Sequence, residues 1–126
     1  SWEIYDWFGA SLLRLGIASL TEEEIEELAA STGRDGQRYL RFALLANIYS
    51  YRGEGDIAAT HYDSAVYYTE RALARHVEKA REGIVKPDHH IHLMTAMIFA
   101  RAGRFDRARE EIALTAQILP IEACHW

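Results

Sequence analysis

Residues 39–72 read YLRFALLANIYSYRGEGDIAATHYDSAVYYTERA. In the first half, apolar residues recur every three or four positions and predict one face of a helix: Phe42, Leu45, Ala46 and Tyr49. Gly53 can adopt the left-handed conformation that ends a helix, and Asp56 can accept the free amides that begin the next one. A second apolar seam follows, formed by Ala58, Tyr62 and Ala65. We therefore predict two helices packed antiparallel across a short turn.

This order of residue types resembles the tetratricopeptide repeat (TPR), whose 34-residue unit has an aromatic residue, a Leu, a small residue and a Tyr on its first helix. The second helix of that unit carries Ala, an aromatic residue and Ala, and every slot is filled in residues 39–72. The alternative interpretation is an ordinary amphipathic helical hairpin. The resemblance continues in residues 89–120, where Gly103 and Phe105 match the family turn and His92 stands where an aromatic residue is usual.

The resemblance implies an all-α fold of about six helices, in which antiparallel hairpins stack as a short TPR-like right-handed solenoid. We expect a single domain, residues 1–126, with three parts. Residues 1–31 form a divergent N-terminal helical pair or cap, residues 37–82 form a hairpin with a long second helix, and residues 89–120 form another hairpin. The second helix is extended, near 56–82, because no Gly or Pro interrupts the chain before Gly83.

Two helix starts are marked by capping residues. Thr21 stands three residues before Glu24, the spacing of a capping box, which predicts a helix over about 22–31 that buries Ile25, Leu28 and Ala29. Asp88 is the predicted cap of the helix that follows Pro87.

Composition excludes several classes of function. Nineteen acidic and fourteen basic residues give a formal net charge of −5, so nucleic acid is a poor candidate partner. No apolar stretch approaches the length that spans a bilayer. The single cysteine, Cys124, has no internal disulfide partner, and this favours a reducing, cytoplasmic location, with a periplasmic location as the alternative. No nucleophile elbow, phosphate loop or dinucleotide fingerprint is present, so we expect neither enzymatic activity nor a cofactor.

In the TPR family the first helices of successive units line a concave groove that binds peptides. Transferred by alignment, this groove would be lined by Leu40, Leu44, Asn47, Tyr51, His90, Leu93, Met94, Met97 and Arg101. Asn47 falls where the family often uses an asparagine to hold the peptide backbone, whereas the basic residues of the carboxylate-clamping subset are missing. The resemblance implies a protein–protein interaction scaffold or adaptor that binds a peptide or helix. The long helix, with Trp2, Trp7 and Trp126, also suggests a homo-oligomer.

A cluster of histidines supports an alternative function. His89, His90 and His92 fall within four residues at a predicted helix start, and His61 or Asp88 could complete a set of metal ligands. The alternative function is therefore a metal-binding helical protein, and the simpler interpretation is a polar first turn. The chain also loosely resembles the TPR-like tail of bacterial zinc-ribbon proteins of unknown function, although it lacks the ribbon cysteines.

Overall fold

The computed structural model describes residues 16–32 and 37–118, and within these residues the chain is helical without any strand. The all-α fold class is thereby confirmed for the described part of the chain. The helices are α1 (Glu22–Ala30), α2 (Arg38–Tyr51), α3 (Gly55–Arg81), α4 (His89–Arg101) and α5 (Phe105–Ile118), and residues 16–18 are helical as well. The predictions that concern residues 1–15 (with Trp2 and Trp7), residues 119–120, Cys124 and Trp126 lie outside the described residues.

Two glycines close two helical hairpins in the same way. Gly53 and Gly103 adopt φ angles of 78° and 80°, which suit only glycine without strain. After each glycine the chain turns back on the helix that it leaves: Glu54 N–H donates to Tyr49 O at 2.9 Å, and Arg104 N–H donates to Phe99 O at 2.8 Å. Consequently α2 packs against α3, and α4 packs against α5.

Two of the three predicted capping residues are confirmed, and one is wrong. The capping box of Thr21 and Glu24 is present, and the Asp88 side chain accepts from His90 N–H at 2.9 Å. The prediction that Asp56 caps the long helix is wrong. Helix α3 begins one residue earlier, at Gly55, its N-cap is Glu54 without a side-chain bond, and Asp56 lies inside the first turn. There its charge complements the helix dipole, although its side chain caps no amide.

Helix α3 is the element that holds the core together. Its 27 residues confirm the predicted extension, and it contributes to each of three apolar clusters. Ala58 packs with residues of α1 and α2, Ala65 packs between α2 and α4, and Leu73 packs with Phe99 and Ala108. The second half of α3 therefore packs along α4, and this contact joins the two hairpins.

Helix α1 is attached to α2 by apolar and polar contacts. Ile25 and Ala29 are buried as predicted, and Tyr49 Oη donates to Glu22 Oε2 at 2.7 Å. Arg52 Nη1 also donates to Leu20 O at 2.7 Å. The prediction that Leu28 is buried is wrong, because this side chain is 44% exposed. It lies on the flank of the helix face that packs against α2, and it lines a cavity. None of the helices described, α1 to α5, is both long enough and apolar enough to cross a membrane.

Candidate functional site

Helices α2 and α4, the first helices of the two hairpins, border an apolar groove of about 280 Å³. The groove is lined by Leu40, Ala43, Leu44 and Asn47 of α2 and by Met94, Met97, Ile98 and Arg101 of α4. The members on each helix recur every three or four residues, so they occupy one helical face. The floor is formed by Ala43 and Ile98, which are buried and pack with Ala65 of α3.

The structure brings most of the predicted groove residues together, but not all of them. Leu40, Leu44, Asn47, Met94, Met97 and Arg101 line the groove. Tyr51 lines an adjoining cavity instead, while His90 and Leu93 lie outside both linings. A helical face runs along the whole helix, but the groove occupies only the part of α4 from Met94 onward. Ala43 and Ile98 complete the lining from below.

The adjoining cavity, of about 490 Å³, extends the groove toward α1. It shares Leu44, Asn47 and Arg101 with the groove, and its other lining residues are Gly16, Ile17, Leu20, Leu28, Ile48 and Tyr51. The contribution of α1 was not predicted. Its signal in the sequence is the apolar Leu28, three residues after the buried Ile25 and therefore at the edge of the same face. Groove and cavity together form one continuous apolar surface, which we call the α2–α4 surface.

Two polar side chains stand where the groove and the cavity meet. Asn47 Oδ1 accepts from Tyr62 Oη at 2.7 Å and from Arg101 Nη1 at 3.5 Å. Because its carbonyl oxygen is engaged, Asn47 has its amide N–H groups left as donors to a bound chain. Arg101 Nη1 also donates to Tyr51 Oη at 3.5 Å, and this hydrogen bond raises the pKa of Arg101. Among the residues that the structure describes, Arg101 pairs with no carboxylate.

The histidines of the predicted ligand set lie in three different environments. Ligand atoms of Asp88, His89 and His90 all lie within 4.8 Å of one another, and the two imidazole rings are 4.0 Å apart between centroids. His61 stacks instead on Tyr49 and Phe42, with centroid distances of 5.5 and 6.4 Å. His92 is 4% exposed, and its Nδ1 lies 2.5 Å from Glu111 Oε2. The predicted set of ligands is therefore not assembled as a whole: Asp88, His89 and His90 converge, whereas His92 and His61 lie elsewhere.

The His92–Glu111 contact is the buried part of a polar network that sequence reasoning missed. The second carboxylate oxygen of Glu111 accepts from Arg107 Nη1 at 3.2 Å, and Arg107 Nη2 donates to Glu70 of α3 at 2.6 Å. The guanidinium of Arg107 also lies over the ring of Phe99, 4.7 Å from its centroid. These contacts connect α3, α4 and α5, so the network holds the second hairpin to the long helix.

The groove thus combines apolar walls, two exposed methionines and two polar side chains. Comparison of the chain with protein-family models, with curated proteins and with solved structures found no match in any of the three.

Proposed function

We propose that the protein is an interaction scaffold whose α2–α4 surface binds an amphipathic segment of a partner protein. The observation that carries this proposal is the continuity of the groove with the cavity, which together offer an apolar path along two helices. A helix laid in a groove buries residues spaced i, i+3 or i+4 and i+7, and the apolar side chains of this surface suit such anchors. The TPR-like stacking of the hairpins is part of the same proposal.

The methionines explain how such a surface accommodates a partner. Met97 is 55% exposed, and Met94 and Leu93 beside it are exposed as well. Methionine has three rotatable bonds and a polarisable sulfur, so it fits irregular apolar partners with little loss of contact. Exposed apolar side chains grouped in a groove are typical of sites that are covered in a complex. This grouping favours a protein partner over a small polar ligand.

Arg101 and Asn47 would fix the orientation of the bound segment and select its sequence. Because Arg101 faces the surface without a carboxylate partner among the described residues, we expect the bound segment to place an acidic side chain against it. The amide of Asn47 donates to a carbonyl oxygen of the same segment. The proposed partner is therefore an apolar helix or peptide with one acidic residue near its centre.

A double substitution tests this proposal. Leu44→Glu with Met97→Glu places two carboxylates in the apolar walls, where a bound segment would remove them from water. Peptides selected by wild-type protein from a displayed library of amphipathic sequences should bind the double variant at least about 100-fold more weakly, a loss of about 2.8 kcal/mol. Fluorescence anisotropy of labelled peptides measures the affinity, and circular dichroism checks that helicity is retained.

The matched control is Ile57→Glu with Ile112→Glu, which changes two exposed apolar residues outside the α2–α4 surface. We expect this control to bind the selected peptides like wild type. Arg101→Glu should weaken the binding of the acidic peptides, whereas the same peptides with Asp→Asn or Glu→Gln should bind this variant as they bind wild type. Selected peptides that bind the control and the groove variant equally well would refute the α2–α4 surface as the binding site, and so would a selection that yields no binder.

A second candidate function rests on the convergence of Asp88, His89 and His90. Two imidazoles and a carboxylate within 4.8 Å suit a borderline divalent metal such as Zn²⁺. One oxygen of Asp88 already caps α4, which leaves the other for the metal.

Calorimetric titration with Zn²⁺, on protein without a polyhistidine tag, tests the metal site. We expect one bound ion per chain, loss of binding in His89→Ala with His90→Ala, and weaker binding below about pH 6 because metal ligands must be deprotonated. His61→Ala is the control, since it removes an imidazole outside the cluster. An unchanged affinity in the double variant would exclude this site.

A further inference from the structure

A second cavity lies at the opposite end of α2 from Tyr51. It has a volume of about 230 Å³ and is formed by the start of α2, the second half of α3 and the chain that leads into α4. Its lining consists of Gln37, Tyr39, Ala72, Arg75, His76, Lys79, Val85 and Ile91. It shares no residue with the α2–α4 surface. We call it the basic pocket, because three of its lining residues are basic and none is acidic, in a chain whose net charge is −5.

The two strongest cations of the basic pocket are not neutralised. Arg75 and Lys79 are four residues apart on α3, so they lie on the same helical face. Neither side chain forms an ion pair or a hydrogen bond with any residue in 16–32 or 37–118. On the same helix, Arg71 bonds the Tyr67 hydroxyl and Arg81 pairs with Glu78. The positive charge of Arg75 and Lys79 is therefore available to an anion.

Tyr39 supplies a hydroxyl donor in the wall of this pocket. It is 4% exposed, and its hydroxyl makes no hydrogen bond with a residue in the described part of the chain. Burial raises the pKa of this phenol above its ordinary value, which already lies far above neutral pH, so the hydroxyl carries a proton that it can donate. The hydroxyl is therefore available as a donor, and an acceptor oxygen of a ligand can take this hydrogen bond.

Two further groups are placed to meet an anion. His76 Nε2 accepts from Asp88 N–H at 3.4 Å, which leaves Nδ1–H as the donor of that ring. Helix α2 begins at the pocket with no side-chain cap on its first turn and no acidic residue in it. The Leu40 amide donates to Gln37 O, whereas the amides of Arg38 and Tyr39 have no partner among the described residues. These two amides and the positive end of the helix dipole favour a negative group.

The remaining walls of the basic pocket are apolar. Gly83, at φ 77°, turns the chain so that the amides of Ile84 and Val85 donate to Lys79 O, at 2.9 and 3.5 Å. This turn brings Val85 back against α3, where it lines the pocket with Ala72 and Ile91. The pocket therefore has a cationic side and an apolar side, which suits a ligand with one anionic end and one short apolar end.

We propose that the basic pocket binds a small phosphate monoester with a short apolar substituent. Three basic side chains, a phenol hydroxyl and a helix start provide more donors than the two oxygens of a carboxylate require, whereas a phosphate offers three acceptor oxygens and a charge of nearly −2. Pockets for drug-sized ligands occupy about 300–1,000 Å³, so a volume of about 230 Å³ limits the ligand to a smaller molecule.

Titrations followed by NMR chemical shifts test the basic pocket with three probes at low ionic strength: inorganic phosphate, phenyl phosphate and benzoate. We expect saturable binding in the order phenyl phosphate, inorganic phosphate, benzoate, with the largest amide shifts in residues 37–39 and 75–79. The double substitution Arg75→Gln with Lys79→Gln should weaken the binding of phenyl phosphate at least about tenfold, since it removes two charge-assisted hydrogen bonds. Tyr39→Phe should weaken the binding of phenyl phosphate several-fold and leave the melting temperature near the wild-type value.

The matched control is Arg71→Gln with Arg81→Gln, which removes the same charge from the same helix outside the lining. We expect this variant to bind phenyl phosphate like wild type. Equal weakening by both double variants would show a general charge effect and overturn the proposal. Chemical-shift changes located elsewhere in the chain would also overturn the proposal, and so would binding that does not saturate. Benzoate binding as tightly as phenyl phosphate would refute the phosphate assignment. Because the basic pocket and the α2–α4 surface share no residue, the outcome of the peptide experiments is independent of the outcome of these phosphate titrations.

Discussion

Replacing Glu111 with alanine is expected to lower the free energy of unfolding by roughly 3–5 kcal/mol. The Glu111 side chain is buried, and its two oxygens contact His92 Nδ1 at 2.5 Å and Arg107 Nη1 at 3.2 Å. The substitution leaves His92 inside the protein without its partner, and it also removes one of the carboxylates around Arg107. Urea unfolding, followed by circular dichroism at 222 nm, measures the loss.

A neighbouring carboxylate provides the matched control for this prediction. Glu110 pairs with the same arginine but is exposed, so Glu110→Ala should change the free energy of unfolding by no more than about 0.5–1 kcal/mol. Replacing both members of the buried pair, His92→Leu with Glu111→Leu, should recover most of the stability, because apolar residues of similar volume often substitute for a buried polar pair without loss. Equal losses for Glu110→Ala and Glu111→Ala would contradict the assigned role of the pair.

Phe99→Ala is expected to cost roughly 3–5 kcal/mol as well, for a different physical reason. Phe99 is 0% exposed and packs with Leu73 of α3 and Ala108 of α5. Its removal leaves a cavity at the place where three helices meet, and it removes the ring beneath the Arg107 guanidinium. The same urea titration measures this loss.

The control for Phe99 is Phe105→Ala, the same substitution at a side chain that is 61% exposed. We expect it to change stability by less than about 1 kcal/mol, because most of that ring is already in contact with water. Phe99→Ala should change the denaturation midpoint without changing the slope m. A loss at Phe99 no larger than that at Phe105 would mean that the junction of α3, α4 and α5 does not carry the core.

The sequence predicts the local features of this fold well, since their causes are local. Gly53 and Gly103 end helices because left-handed backbone suits glycine, and the uninterrupted run before Gly83 yields the long α3. Leu28 is exposed although its spacing suggested burial, because a helical face is wider than the contact that covers it. The periodicity shows which side of α1 faces the protein, but not where the neighbouring helix stops.

The buried pair of His92 and Glu111 was not predicted, although both residues carry a signal in the sequence. His92 stands in a slot that is usually aromatic, and Glu111 lies three residues after the buried Ala108, on the same helical face. Two polar residues at core positions of successive antiparallel helices indicate a buried pair. The metal hypothesis used His92 differently because sequence proximity to His89 and His90 does not reveal the direction of a side chain.

The two candidate sites also differ in how far local sequence determines them. The α2–α4 surface follows from the register of residues on two helices, so most of its lining was predicted from spacing. The basic pocket combines Tyr39, Arg75 and Val85, which come from three separate parts of the chain. Their meeting depends on where α3 passes α2 and on the turn at Gly83, and no local pattern specifies either.

The shared use of α3 determines how this protein loses its structure. In a regular repeat array each unit contacts only its neighbours, and stability is a sum of unit and interface contributions, so terminal units can unfold alone. Here one helix, about 40 Å long, belongs to all three apolar clusters. Neither hairpin can open without exposing apolar surface that also supports the other. The described helices therefore form one cooperative unit, and partly unfolded states with a single intact hairpin should be sparsely populated at equilibrium.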